Sequence, residues 1–224
     1  MSDLSLDGEV RGILRLGVIT AAPVAVAPAS SALREEMASL SSQLAERYAG
    51  FAPAEIKALG PARELYRSFG IDPTRTRPSS EALLRRVLKA KPLPSILNAV
   101  DLCNFLSLTF MLPLGLYDSG KIDGRVVLRK GRSGESFVGI RKAEVHLYGR
   151  PVLVDRQGPF GNPTSDSLRT SVDGSTTALW LVVFAPASLP RDQMEEHVAT
   201  SKEAMQRHLS AAGMECRSSG FVLD

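Results

Sequence analysis

Residues 176–185, TTALWLVVFA, constrain the fold more than any other stretch. The run is almost continuously apolar, far shorter than a membrane span, and reads as a buried central strand. Short candidate strands punctuated by Gly or Pro occupy 125–130, 135–140, 143–148 and 151–155, the signature of a meander. Residues 11–20 alternate enough for a further strand, 21–29 form a Pro- and Ala-rich connection or a short second strand, and 221–223 close the sheet. Elsewhere the period is helical. Leu33, Met37, Leu40, Leu44 and Tyr48 line one face of 31–49 behind a Ser30 or Ser31 cap. Residues 54–69 suggest one or two short helices interrupted at Gly60-Pro61, a turn signal. Residues 192–212 form a long helix with Met194, Val198, Ala204 (or Met205) and Leu209 inward, ended by Gly213. Helices first, strands in the middle and a helix last predict a compact α+β domain over 11–224 with mostly antiparallel sheets, preceded by a frayed tail at 1–10.

The stretch 77–124 carries the densest chemical signal. Ser79 or Ser80 can cap a helix bearing Leu83, Leu84, Val87 and Leu88, and Glu81 suits the positive end of its dipole. Pro92 and Pro94 turn the chain. A second apolar helix then runs from about residue 96 to 110, with Asn98, Asp101 and Asn104 three apart and therefore along one face. Buried amides and carboxylates cost free energy unless paired, so such a stripe either braces a loop or lines a cavity. The loop concerned follows at once, 112–118, closed by Lys121-Ile122.

Composition narrows the class. The 224 residues, 44% hydrophobic, contain no internal repeat, and the polar, acidic start MSDLSLDGEV is unlike a signal peptide. Cys103 and Cys216 are too few and too distant for a metal site or a disulfide framework, which points to a reduced cytoplasmic protein. The formal charge of +3 is unevenly spread: from Lys121 to Arg156 nine Lys/Arg, Arg141 and Lys142 included, face four acids, whereas the last third is net acidic. Such a cluster can attract a phosphate backbone or be a solvated sheet face. His197 and His208 share a helical face without a partnered Cys or carboxylate and read as a solvated surface face rather than a zinc site, Trp180 belongs to the core, and no nucleophile elbow or phosphate loop occurs. No cofactor and no metal are expected.

The run AVDLCNFLSLTFMLPLGLYDSGKIDGRVVLRKGRSGESFVGI resembles the editing domain of the phenylalanyl-tRNA synthetase β subunit. That pattern is an (A/P)-V-D-x-x-N-(Y/F) helix, a Q-P-x-H-x-(F/Y)-D loop, (K/R)-I-x-G, a strand, G-E and another strand. Val100, Asp101, Asn104, Phe105, Pro113, Tyr117, Asp118, Lys121, Ile122, Gly124, Gly134 and Glu135 match it in order. The segment 77–83 is similar to free-standing relatives of that domain, and residues 14–213 fit such a module. The resemblance implies an α+β core with sandwiched strands.

A second diagnostic stretch is the loop 158–170, rich in Gly, Pro, Asn, Ser and Thr. Gly158-Pro159-Phe160-Gly161 is similar to the family's G-G-x-F-G-G-E run, but Asn162-Pro163 stands where Gly-Glu would be, and Gly115 where the loop histidine would be. Ser165-Asp166-Ser167-Leu168-Arg169-Thr170 resembles instead the (R/S)-D-S-x-R-T run of the free-standing relatives. The polar chemistry is accordingly placed there. Asp166 and Thr170 are the expected catalytic pair, Asp166 accepting a substrate ammonium or steering a water. Asn104, Gly115, Phe160, Gly161, Thr164 and Arg169 are the expected substrate contacts. Backbone amides near Phe160-Gly161 with a Thr164 or Thr170 hydroxyl would stabilise an oxyanion. Arg77 and Arg169 suit terminal phosphates, and Arg125, Arg129 and Lys130 extend the nucleic-acid surface. For Arg169 a salt bridge to Asp166 that pins the loop is the structural alternative.

Two functions follow. One is a trans-acting aminoacyl-tRNA deacylase that hydrolyses a mischarged ester with a positioned water. The other is a non-catalytic module retaining tRNA or an amino-acid-like ligand. Both require that 112–118 and the segment near 165 face each other across one hollow.

Overall fold

The structure, a computed structural model, describes residues 4–140 and 144–224. The apolar run becomes β9 (Leu179–Pro186), whose eight residues are all buried. Its side chains alternate between two cores. Leu179, Leu181, Val183 and Ala185 join one, whereas Trp180, Val182 and Phe184 join the other. A strand covered on both faces has no place for polar alternation, which is why the sequence shows none.

β9 sits inside a four-stranded antiparallel sheet in the order β10 (Arg217–Leu223), β2 (Leu14–Ala22), β9, β3 (Leu114–Asp118). A second sheet has the order β1 (Leu4–Leu6), β4 (Val126–Lys130), β7 (Pro151–Asp155), β8 (Gly158–Gly161). Its β1–β4 pair is parallel and the others antiparallel. β5 (Ser136–Val138) and β6 (Glu144–His146) form a hairpin. The two larger sheets enclose the core that contains Leu16, Val18, Tyr117, Phe160, Trp180 and Phe184, with Leu65 and Tyr66 from α2 (Gly60–Ser68) joining it. On the other side of the first sheet lie α4 (Asn98–Phe110) and α5 (Arg191–Leu209), with α1 (Ser31–Arg47) packed beside α4. Ser30 caps α1 by accepting from the Leu33 N–H at 3.2 Å. α3 (Ser79–Val87) meets α1 and α4 in a third cluster through Leu84, Val87, Leu44 and Leu108. The architecture is the α+β arrangement read from the sequence.

Several local expectations are corrected. Residues 4–6 do not fray: Leu4 and Leu6 are buried as β1 against Val126 and Leu128. Gly60-Pro61 does not interrupt a helix but starts one, because a first-turn proline lacks only an N–H that has no intrahelical acceptor. The expected loop 112–118 is largely β3, an apolar edge strand that β9 pulls into register, and the expected loop at 158–170 begins with β8. His197 and His208 are not a solvated face: His208 is buried against Glu36 at 3.2 Å, and His197 stacks on Phe110 with ring centroids 4.2 Å apart. Arg141, Lys142 and Ala143 lie outside the described residues. Among the described residues no helix is long and apolar enough to cross a membrane, and no group of three His, Cys, Asp or Glu could hold a metal ion.

Candidate functional site

The polar stripe of α4 divides its work. Asn98 is a brace: its Oδ1 accepts from the Ala27 N–H at 3.0 Å, and its Nδ2 donates to the carbonyls of Ala25 at 2.8 Å and His208 at 3.2 Å. Asp101 ties the approach to the helix, accepting from the Ile96 N–H at 2.9 Å and the Ser95 hydroxyl at 3.0 Å. Asn104 does neither. It is half-buried and lines a cavity of about 400 Å³.

The opposite wall is the turn 162–165. Asn162 Oδ1 accepts from the N–H groups of Thr164 and Ser165 at 2.8 and 2.9 Å, an Asx-type brace made by the residue after β8. Tyr66 reaches the same turn from α2, donating to the Pro163 carbonyl at 3.0 Å with Thr164 Oγ1 at 2.9 Å. Burial pushes the Tyr66 phenol up to about 12, so it keeps its proton at neutral pH. With that proton on Pro163, the Thr164 hydroxyl donates to Tyr66, and its free capacity is that of an acceptor. The floor is apolar: Ile96, Leu97, Val100, Leu114, Leu116 and Val172. The polar members of the lining are Ser79, Asn104, Thr164, Ser165, Asp166 and Ser171. Segments 112–118 and 163–166 therefore do share one hollow.

Asp166 is half-buried, and its Oδ2 accepts from the Leu116 N–H at 3.4 Å. Its backbone is fixed by the Ile140 N–H at 3.1 Å and a bridge to Gly161. Two further groups feel its charge. The Tyr117 phenol, fully enclosed, is pushed well above its ordinary value by burial and then by Asp166, although its hydroxyl closes no well-formed hydrogen bond. Cys103, in the cavity wall, is likewise driven up by burial and by Asp166, which favours the thiol over the thiolate. Tyr117 also explains Gly115. β3 alternates, so Leu114 and Leu116 face the cavity while Gly115 and Tyr117 share the other face. A Cβ on Gly115 would collide with the Tyr117 hydroxyl, and one on Gly161 would stand 2.5 Å from the Cζ of the same ring. Both glycines are cradles for a phenol.

The remaining expected residues lie elsewhere. Phe160 is wholly buried in the inter-sheet core, edge-on to Tyr117 at 5.1 Å, and Gly161 is paired within β8; neither lines the cavity. Thr170 is wholly buried with an unpartnered Oγ1, and Ser171 and Val172 line the wall in its place. Arg169 pairs with neither Asp166 nor open solvent. It forks onto Asp155 at 2.9 and 3.0 Å and also donates to the Lys121 carbonyl. Arg77 lies 3.7 Å from the buried Glu81, which Arg63 and Arg85 also hold, and Arg129 forks onto Glu135 at 2.6 and 2.7 Å. Arg125 is exposed and Lys130 half-buried. Arg125 and Arg129 border a separate basic cleft with Arg132 and Arg156. Sequence reasoning missed Ser79, Cys103 and Tyr66, whose proximity to the loop near 165 has no local signal in the chain.

Comparison with known proteins places this geometry. The β subunit of phenylalanine–tRNA ligase from Wolbachia sp. subsp. Brugia malayi is 27% identical over 124 residues, covering 52% of this chain and 15% of that protein. The same subunit from Chromobacterium violaceum is 26% identical over 153 residues, covering 67% and 17%. The chain thus spans less than a fifth of the length of these relatives. Among solved structures, an N-terminal fragment of the phenylalanyl-tRNA synthetase β subunit from Pyrococcus horikoshii is similar over 99% of this chain and 54% of that one, with 13% identity and a TM-score of 0.45. Residues 61–208, which include α4, β3, the turn at 162–165 and Asp166, match the B3/4 domain, and the chain belongs to that family.

Proposed function

We propose that the cavity between α4, β3 and the turn 162–165 takes the aminoacyl end of a mischarged tRNA and hydrolyses its ester in trans. One observation carries this reading: a hollow with an apolar floor presents a carboxylate, Asp166, with Asn104 and Thr164 also in its lining. An apolar side chain fits the floor, and an ammonium group fits a half-buried carboxylate better than any neutral ligand would. The kinship with β subunits of phenylalanine–tRNA ligases supports a tRNA-linked substrate.

The chemistry asks little of the protein. A water oxygen adds to the ester carbonyl carbon, the tetrahedral intermediate collapses, and the ribose oxygen leaves with a proton, giving free amino acid and tRNA. Asp166 holds the ammonium and so fixes the carbonyl. Asn104 Nδ2 is a side-chain donor on the lining for the developing oxyanion. The tRNA backbone is assigned to the cleft where Arg125, Arg129, Arg132 and Arg156 outnumber Asp7 and Asp155, rather than to Arg77 or Arg169.

A second reading, binding without hydrolysis, draws on Gly115. The position of the family's loop histidine here has no room for a side chain. Incubation with a panel of mischarged tRNAs separates the two. Release of amino acid that Asp166→Asn lowers at least about a hundred-fold supports hydrolysis. Salt-sensitive tRNA binding without release selects the binding module, and neither signal removes both.

A further inference from the structure

A second cavity, of about 440 Å³, opens among α1, α5 and the end of α4, remote in sequence from Asp166 and lined by none of the residues of the first. Leu44, Leu108, Met111, Leu112 and Leu189 contribute apolar surface. Its charged lining residues are both cationic, Arg47 and Lys57, and no carboxylate joins them. Among the described residues neither forms an ion pair; Arg47 lies over the Tyr48 ring at 5.4 Å. His197 adds a third donor candidate. Its ring is stacked on Phe110, and its Nε2 is shut from solvent with no hydrogen-bond partner. A buried ring nitrogen left unpaired in a cavity wall costs free energy that a ligand acceptor removes. The volume falls in the range of small-molecule sites.

We propose that this second cavity is a binding site for a small amphipathic monocarboxylate, its apolar body on the leucine-lined floor and its carboxylate met by His197 Nε2–H, Arg47 and Lys57. A carboxylate is acceptor-only when ionised, so it complements a lining of donors and repels nothing there. An ammonium ligand has no acceptor of opposite charge in this lining.

Octanoate is a suitable probe, titrated into the full chain while the imidazole resonances of His146, His197 and His208 are followed by NMR. Saturable shifts confined to His197 are expected. The double variant Arg47→Ala/Lys57→Ala removes two exposed cations without touching the core, and it is expected to weaken octanoate binding about ten-fold. Asp166→Asn should leave it unchanged. Octylamine should not shift His197. The assignment is overturned by an unresponsive His197, by weakening of less than about three-fold in the double variant, by an equal response to octylamine, or by loss of binding in Asp166→Asn, which would put the probe in the other cavity.

Discussion

Tyr117 lays its phenol across Gly115 so closely that a Cβ there would stand 2.6 Å from the ring's Cζ. Gly161 flanks the same ring from β8, and neither glycine has a positive φ, so space and not backbone conformation requires them. Gly115→Ala is therefore expected to destabilise the fold by about 1–3 kcal/mol, the usual cost of overpacking. On a Tyr117→Ala background, where the ring is gone, the same substitution should cost much less. Urea denaturation of the four proteins in this cycle checks the coupling. Additive effects would mean that the ring is not what excludes a side chain at 115.

Arg169 and Asp155 form the structural pair of the 158–170 loop. The carboxylate is completely covered and also accepts from the N–H groups of Asp123 and Gln157, so removing its cation leaves a buried charge. Arg169→Ala should cost about 3 kcal/mol or more, and Arg169→Lys should recover little, because an ammonium cannot reproduce the fork. The salt dependence of tRNA binding should not change in either variant, in contrast to Arg125→Ala or Arg156→Ala.

Much of this arrangement was legible in the chain. A strand with no polar alternation had to be covered on both faces, as β9 is, and polar residues three apart on an apolar helix had to brace or line, as Asn98 and Asn104 respectively do. Other features were not legible because they depend on parity or on partners far along the chain. Whether position 115 faces the cavity is decided by a one-residue alternation along β3, and reading 112–118 as a loop hid that alternation. Arg169 lies three residues from Asp166 but bonds Asp155, fourteen residues away across β8. Basic residues counted as a nucleic-acid face are partly consumed by carboxylates that the fold brings to them, Glu81 for Arg77 and Glu135 for Arg129.

The Arg129–Glu135 pair makes a pH prediction. The hydrogen-bonded guanidinium holds the Glu135 carboxyl down at about 2, against an ordinary value of 4.5. A folded value below the unfolded one means that the contribution is complete above about 4.5 and disappears as the pH falls toward 2. Wild type should therefore exceed Glu135→Gln in stability at neutral pH, with the gap narrowing from pH 4.5 downward. Thermal melts of both proteins between pH 7 and about pH 3 would show it. A gap that stays constant over that interval would deny the pair its role.

Asn98 and Asn104 share a helix face, yet their truncation should have opposite consequences. Asn98→Ala strands the Ala27 N–H and the carbonyls of Ala25 and His208, all joined by one amide, at a cost of about 3 kcal/mol for unsatisfied buried groups. Asn104 has no such bonds and borders the hollow, so Asn104→Ala should leave stability within about 0.5 kcal/mol. Its effect should instead appear in ligand binding, a several-fold loss of affinity for an amino-acid ester that is shared by the matching ester lacking the ammonium group, because Asn104 meets the carbonyl and Asp166 the ammonium. Denaturation curves and calorimetry on the two variants give the comparison. Equal losses of stability would return Asn104 to the scaffold and leave Asp166 as the sole recognition group.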